Sequence, residues 1–292
     1  MHILIVNDDG PPSNQSSPYV HSLVQTLQKA GHVVSVCLPH TQRSWIGKAH
    51  MIGQTVKPTY FRPGTLHKDD GTTHNRPLPP GSEGQEEWIL VDGTPASCVQ
   101  IGLYHFFHDK GPIDLVVSGP NYGRNSTAVF SLSSGTLGGA LEAAVCKRKA
   151  IALSYAFFSR NHDPEIIAGA SRLSLQIIEY LYKNWSESVD LYSVNVPLVE
   201  GVEEKKIYWT SMLQNYWEAG SCFQEVEDEE GDADEAEQEI REREGIPESE
   251  GKIARHTHKH FKWAPRFSDV YKSVEAAGPG NDGWVVKEGL TR

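Results

Sequence analysis

Hydrophobic and polar positions along the chain follow one repeating pattern. Ile3 to Val6 is an unbroken apolar run, suited to a buried parallel strand. A polar, Gly- and Pro-containing loop over Asn7 to Ser17 follows. Ser17-Pro18 reads as a helix cap with proline at the first helical position. Val20, Leu23, Val24 and Leu27 then keep helical spacing, Gly31 ends the helix, and Val33 to Leu38 is the next strand. Residues 39–87 lose periodicity and gather turn signals (Pro63-Gly64, Asp70-Gly71, Pro79-Pro80-Gly81). They read as a long loop, with room for a hairpin, reaching out of the sheet.

Regular alternation resumes with a strand over Trp88 to Val91 and a helix capped at Thr94-Pro95 that runs to about Phe107. Next come a strand over Asp114 to Ser118, a small-residue helix over Gly135 to Cys146 and a strand over Ala150 to Ser154. A helix from Asp163-Pro164 to Lys183 and a strand over Leu191 to Val196 complete the series. Strands alternating with helices predict an α/β fold with a mainly parallel sheet. Ligands of such sheets bind beyond the carboxyl ends of the strands. Asn7-Asp8-Asp9, Ser118-Gly119-Pro120-Asn121 and Ser154 fall at such ends.

The chain has 292 residues and a net charge of -11. Fourteen acids and only two arginines lie between Glu225 and Glu250, so the rest is a near-neutral body carrying one acidic insert. Such a body exerts no general electrostatic pull on nucleic acid, and no direct nucleic-acid binding is expected. Within the insert, Glu237/Arg241 and Glu239/Arg243 are spaced for a short exposed helix. No window approaches the roughly 18 consecutive apolar residues of a membrane helix, so no membrane span is expected. The N-terminus is not a signal peptide, and Cys37, Cys98, Cys146 and Cys222 form no CxxC pair. The expected location is cytoplasmic, with the thiols reduced.

Three segments carry candidate chemistry. Asp8 and Asp9 suit a hard divalent cation, although Asn-Asp-Asp-Gly is also ordinary turn composition. Asn121, just past a strand, offers a neutral oxygen or serves a turn. Ser133-Ser134-Gly135-Thr136 opens a helix and is either an anion site or plain capping. There is no Walker loop, no Gly-x-Gly-x-x-Gly after the first strand, and no Asp-x-Asp after a later strand of the kind a sugar-nucleotide glycosyltransferase needs. Together the three segments suggest metal-assisted hydrolysis of a phosphate ester.

Ile5-Val6-Asn7-Asp8-Asp9-Gly10, Arg43-Ser44, Gly93-Thr94-Pro95, Val117-Ser118-Gly119-Pro120-Asn121-Tyr122-Gly123 and Ser134-Gly135-Thr136 resemble, in order and spacing, the SurE family of survival-protein nucleotidases. The resemblance covers about residues 1–200 well and 262–290 loosely. It implies a Rossmann-like three-layer core over 1–200 and a C-terminal extension over 201–292 that holds the acidic insert (225–250). It implies a divalent-metal-dependent (Mg²⁺ or Mn²⁺) phosphomonoesterase acting on nucleoside monophosphates with broad tolerance and some polyphosphate activity. A homodimer or higher homo-oligomer goes with it. Carried over by position, Asp8, Asp9, Ser44 and Asn121 would hold the metal, and Asp8 or Asp9 would take the proton of the attacking water. Ser134, Gly135 and Thr136 would hold the phosphate, with Asn125 nearby and Asn7 supporting the acids.

The sequence also departs from that pattern. The loop after Gly10 is longer and more polar, as in the fungal branch, where the domain in some relatives precedes a tubulin-tyrosine-ligase-like domain. Ser97 stands where many members have an acid, Trp45 follows Ser44 where a small residue is common, and a final Val-Thr-Pro-Leu-like strand is missing. The stop at Arg292 fits an excised domain or a truncated product. A non-catalytic binding or assembly module is the alternative. Other residues keep two readings. His256, His258 and His260 are alternating metal ligands or part of a solvated basic stretch. His40, Arg43, Lys48 and His50 are substrate contacts or surface; Tyr104, Phe106 and Phe107 are helix core or a base-stacking box. Trp209 and Trp217 pack an extension or line an interface.

Overall fold

Eight strands form the main sheet in a computed structural model that describes residues 1–82, 84–160, 162–218, 220–226 and 259–292. In chain order they are β1 (His2–Val6), β2 (Val33–Pro39), β3 (Pro58–Arg62), β4 (Thr72–His74), β5 (Trp88–Val91), β6 (Leu115–Tyr122), β7 (Lys149–Ala156) and β8 (Leu191–Pro197). Their spatial order is β4-β3-β5-β2-β1-β6-β7-β8. The six strands from β5 to β8 pair in parallel. β3 runs antiparallel to β5, and β4 antiparallel to β3. The predicted hairpin within 39–87 therefore lengthens the sheet and does not reach out of it. Among the parallel strands, order reverses between β1 and β6. Neighbouring loops diverge at such a switch point and leave a crevice at the strands' carboxyl ends.

Strand alternation explains the two cores. Ile3 and Ile5 face α1 (Val20–Lys29), with Leu23, Val24 and Leu27. The same cluster takes Ile167, Leu173 and Ile177 from the helix over Pro164–Lys183. Leu4 and Val6 point the other way, to Val99 of α2 (Pro95–Tyr104) and to Ala140 and Ala143 of the small-residue helix. Burying each Leu or Ile contributes about 1.5–3 kcal/mol. The fold is three-layered and α/β, as expected.

The remaining helices are α3 (Thr127–Ser133), α4 (Gly135–Val145), α5 (Pro164–Lys183), α6 (Phe267–Ala276) and α7 (Asp282–Lys287). No single helix among the described residues is long and apolar enough to cross a membrane. α4 is built for close approach. A side chain at Gly138 would lie 2.2 Å from the Gly47 carbonyl oxygen, so the loop after β2 passes directly over the helix.

Several local expectations change. α1 starts at Val20 with Tyr19 as its cap residue, not at Pro18, and Ser17 donates its hydroxyl to the Gly10 carbonyl instead of capping the helix. α2 ends at Tyr104, three residues before Phe107. β6 does not stop at Ser118 but runs to Tyr122. α3 has no counterpart in the sequence reading. Beyond β8, Ile207 forms a single bridge, to Thr291.

The chain divides into two units, residues 1–215 with 273–292, and residues 216–272. The stretch after residue 200 is thus shared between them. In the second unit β9 (Phe223–Val226) pairs antiparallel with β10 (His260–Trp263). Trp217 and Trp263 both pack on Phe267, at ring-centroid distances of 6.3 and 6.1 Å. The connection between β9 and β10, with the Glu237/Arg241 and Glu239/Arg243 pairs and with His256 and His258, lies outside the described residues.

Candidate active site

Asn7 shapes the loop after β1. Its side-chain oxygen accepts from the Gly10 amide and its Nδ2 donates to the Gly10 carbonyl, both at 2.9 Å. The second donor faces Ser17 Oγ at 3.3 Å. Asn7 is fully buried and spends its amide on the loop. It shapes the turn that carries Asp8 and Asp9 from a position with no face toward solvent.

The turn sends the two carboxylates to different neighbours. The Thr136 hydroxyl, in the first turn of α4, donates to Asp8 Oδ1 at 2.6 Å. The Gly135 and Thr136 amides also favour the charged form of Asp8. Asp9 Oδ2 accepts from the Tyr122 amide at 2.5 Å. Asp9 Oδ1 is buried and has no hydrogen-bond partner among the described residues.

β6 delivers both of its contributions through a register slip. Ser118 pairs with Ala152, but Asn121, three residues on, pairs with Ser154, only two residues on. Gly119 permits the bend, because a side chain there would lie 2.1 Å from the Leu153 carbonyl oxygen. Asn121 Nδ2 donates to the Gly123 carbonyl at 2.9 Å, which fixes the amide. Its Oδ1 then lies 3.2 Å from the Thr136 hydroxyl. One hydroxyl proton cannot serve both Asp8 and Asn121, so the Asn121 oxygen keeps lone pairs free for another cation or donor.

Burial, and then the adjacent Asp8 charge, hold the Asp9 carboxyl well above the usual range; the Tyr122 amide and Gln42 only partly offset this. Burial also raises Asp8, with the Thr136 hydroxyl opposing. Two buried carboxylates with one unpartnered oxygen need a positive charge to ionise together. Asp8, Asp9 and the Asn121 carboxamide form the all-oxygen donor set that a hard divalent cation takes. No group of three or more His, Cys, Asp and Glu among the described residues is placed for a metal, so two carboxylates would rely on neutral oxygens.

Asp8, Asp9, Asn121, Gly135 and Thr136 are thus brought together. A side chain on Gly135 would sit 2.8 Å from Asp8 Cβ and 2.9 Å from Ile46 Cγ2, so glycine alone fits there. Ser134 accepts from the Leu137 amide as the α4 cap. Ser44 is exposed on the loop over the site, next to Arg43, whose amide donates to the Asp8 carbonyl at 2.6 Å. Asn125 is a buried clasp: its amide donates to Asn195 Oδ1 and its Nδ2 to Ser154 Oγ, both at 2.9 Å.

Arg43, Lys48 and His50, near Ser44, are engaged within the protein, and His40 is exposed. Arg43 donates to Asp92 at 2.7 Å. Lys48 pairs with buried Glu142 at 2.7 Å, and His50 lies 3.5 Å from the same oxygen. Both tie the loop to α4. Tyr104 is exposed, while Phe106 and Phe107 pack at the edge of the second core cluster. Trp209 is largely exposed and meets Tyr192 at 5.6 Å.

One supporting network escaped the sequence reading. Asp282 is fully buried and accepts from the amides of Thr127 and Leu213, each at 2.8 Å. The Arg292 guanidinium lies 3.6 Å from it and donates to the Asn125 carbonyl at 2.7 Å. Thr127, at φ 68°, is a β-branched residue held in the left-handed region by this network. It opens α3, which leads straight into Ser134-Gly135-Thr136. The signal was available, since Asn281-Asp282 before Trp284-Val285-Val286 is a helix-start pattern.

The Survival protein SurE family model matches residues 3–219. The chain belongs to the SurE family. It is 40% identical over 239 residues to the Saccharomyces cerevisiae protein named probable tubulin–tyrosine ligase PBY1, over 74% of this chain and 31% of that one. The chain therefore spans about a third of that relative. It is 36% identical over 213 residues to the 5'-nucleotidase SurE of Ruegeria pomeroyi, over 70% of this chain and 71% of that one. The crystal structure of SurE from Aquifex aeolicus superposes with a TM-score of 0.61 at 22% identity, over 100% of this chain and 91% of that one. That likeness shows the SurE fold.

Proposed function

We propose that the protein is a divalent-cation-dependent phosphomonoesterase that hydrolyses nucleoside monophosphates. The observation that carries this reading is the buried, unpartnered Asp9 Oδ1 beside Asp8 and Asn121 Oδ1, at the switch point of the sheet. The SurE-family 5'-nucleotidases to which the chain is similar support it.

Asp8, Asp9 and Asn121 would hold the cation, with Ser44 adding a hydroxyl from the loop above. Mg²⁺ or Mn²⁺ accepts this oxygen set and would supply Lewis acidity at the phosphoryl oxygen and at water. Asp8 or Asp9 would also take the proton of the attacking water, and the Thr136 hydroxyl on Asp8 Oδ1 favours Asp9 in that role. The positive end of α4, opened by Ser134, Gly135 and Thr136, offsets charge building on the phosphoryl oxygens.

The test is phosphate release from a panel of nucleoside monophosphates, an aryl phosphate and polyphosphate with Mg²⁺, Mn²⁺ or EDTA. Release that needs the cation and disappears in Asp9→Asn supports the assignment. A folded protein that binds the cation and releases nothing overturns it in favour of a binding module.

A further inference from the structure

Beside the two acids stands a group of side chains that the hydrolytic site does not use. Tyr122, whose amide holds Asp9, packs its ring on Phe157 at a centroid distance of 4.8 Å. Arg160 lies 6.0 Å from the Phe157 ring centroid. Arg124 places its guanidinium 5.3 Å from the Phe158 ring centroid and donates to the Phe157 carbonyl at 2.9 Å. Phe158 still leaves 50% of its surface exposed.

The group lies at the carboxyl ends of β6 and β7, on the same side of the sheet as the acids. A point one carbon out from Gly123 is 3.6 Å from Asn121 Nδ2 and 3.8 Å from the Phe157 ring. The aromatic group therefore begins one residue's width from the candidate cation ligands. Interior packing does not require an exposed phenylalanine tethered by an arginine whose hydrogen bond also fixes the loop beneath it. Aromatic faces and guanidinium planes are the groups on which nucleobases stack.

We infer that Phe158, held by Arg124 and backed by the Tyr122–Phe157–Arg160 stack, is the platform on which the base of the nucleotide lies while its phosphate occupies the Asp8–Asp9–Asn121 site. This rests on the nucleotidase reading and deepens it. Every base has a π-face, so stacking recognises that a base is present and discriminates little between bases. The platform acts on binding of the distal part of the substrate, so it sets KM and leaves kcat nearly untouched.

The experiment compares AMP, UMP and ribose 5-phosphate as substrates of the wild type, Phe158→Ala and Arg124→Gln. The expected result is a KM for both nucleotides about tenfold lower than for ribose 5-phosphate in the wild type. Phe158→Ala should bring the nucleotides to the ribose 5-phosphate value, with that substrate's KM and all kcat values unchanged. Equal KM for all three in the wild type, or a variant that shifts nucleotides and ribose 5-phosphate alike, overturns the platform and leaves the hydrolase standing. If no substrate is hydrolysed, the hydrolase reading fails, and equilibrium dialysis of AMP then decides the platform. Binding that Phe158→Ala weakens about tenfold supports it; binding that is absent or unchanged overturns it.

Discussion

Thr136 reaches across 128 residues of sequence to donate its hydroxyl to Asp8 Oδ1 at 2.6 Å. A hydrogen bond to a buried charge contributes about 1.5–3 kcal/mol. Thr136→Val keeps the shape and removes the donor. The expected outcome is a fall in kcat of about 10- to 100-fold with the fold retained, read by phosphate release and circular dichroism.

Gly135 has no room for even a methyl group, since Asp8 and Ile46 both lie within 2.9 Å of where it would sit. Gly135→Ala must push Asp8 or the loop carrying Ile46. Overpacking of this kind costs about 1–3 kcal/mol. The variant should lose most of its turnover and melt lower, whereas the more exposed Ser133→Ala should do neither.

Asp9 carries the clearest pH dependence. Its folded-state pKa is raised well above its ordinary value, first by burial and then by the Asp8 charge. The folded state therefore holds a proton that the unfolded chain gives up. The stability this contributes is complete below the unfolded value and is lost as pH rises through the folded one. Cation-free Asp9→Asn should accordingly melt above the wild type by about 2–4 °C near pH 8. The gain should shrink as pH falls and the wild-type carboxyl takes up its proton. Added Mg²⁺ or Mn²⁺ should raise the wild-type midpoint and leave the variant's unchanged. Calorimetry with and without EDTA checks all three statements.

Lys48 and His50 bind Glu142, and so hold the loop that carries Ser44 against α4. Burial raises the Glu142 carboxyl, but Gln100, Lys48 and His50 together outweigh burial and keep it below its ordinary value. Its contribution to stability is present above the unfolded pKa and lost as pH falls through the folded one. Glu142→Gln should lower stability at neutral pH by about 1–3 kcal/mol, with the deficit vanishing in acid. Urea denaturation at two pH values measures this.

Asp282 holds Thr127, Leu213 and Arg292 from a fully buried position. Asp282→Ala leaves a buried guanidinium and two amides without their acceptor. A loss of about 3–5 kcal/mol is expected, read as a lower urea midpoint.

The sequence announced strands such as Ile3 to Val6 because a strand buried on both faces is apolar throughout. It announced Thr94-Pro95 and Asp163-Pro164 because caps have fixed chemistry, and both side chains do accept the expected amides. Ser17-Pro18 has the same composition but a different outcome, because Asn7 and Gly10 draw the Ser17 hydroxyl into the loop. α3 was not legible: Thr-Ala-Val-Phe-Ser-Leu-Ser has no apolar stripe, and its start depends on Asp282, 155 residues away. Asp8, Asp9, Asn121 and Thr136 were nameable from their motifs. What no motif contains is the slip in β6 that turns Asn121 inward, or the closeness of Asp8 that makes Gly135 obligatory.

Reversal of strand order between β1 and β6 also governs when the protein can first work during its own synthesis. Asp8 and Asp9 leave the ribosome well before their partners at Asn121, Tyr122 and Thr136, which come more than a hundred residues later. β2 and β5 can join β1 on one side before then, but its other side stays open until β6 arrives. A nascent chain therefore carries both acids without the groups that make them a site, and competence comes only with the closing of the central strand pair.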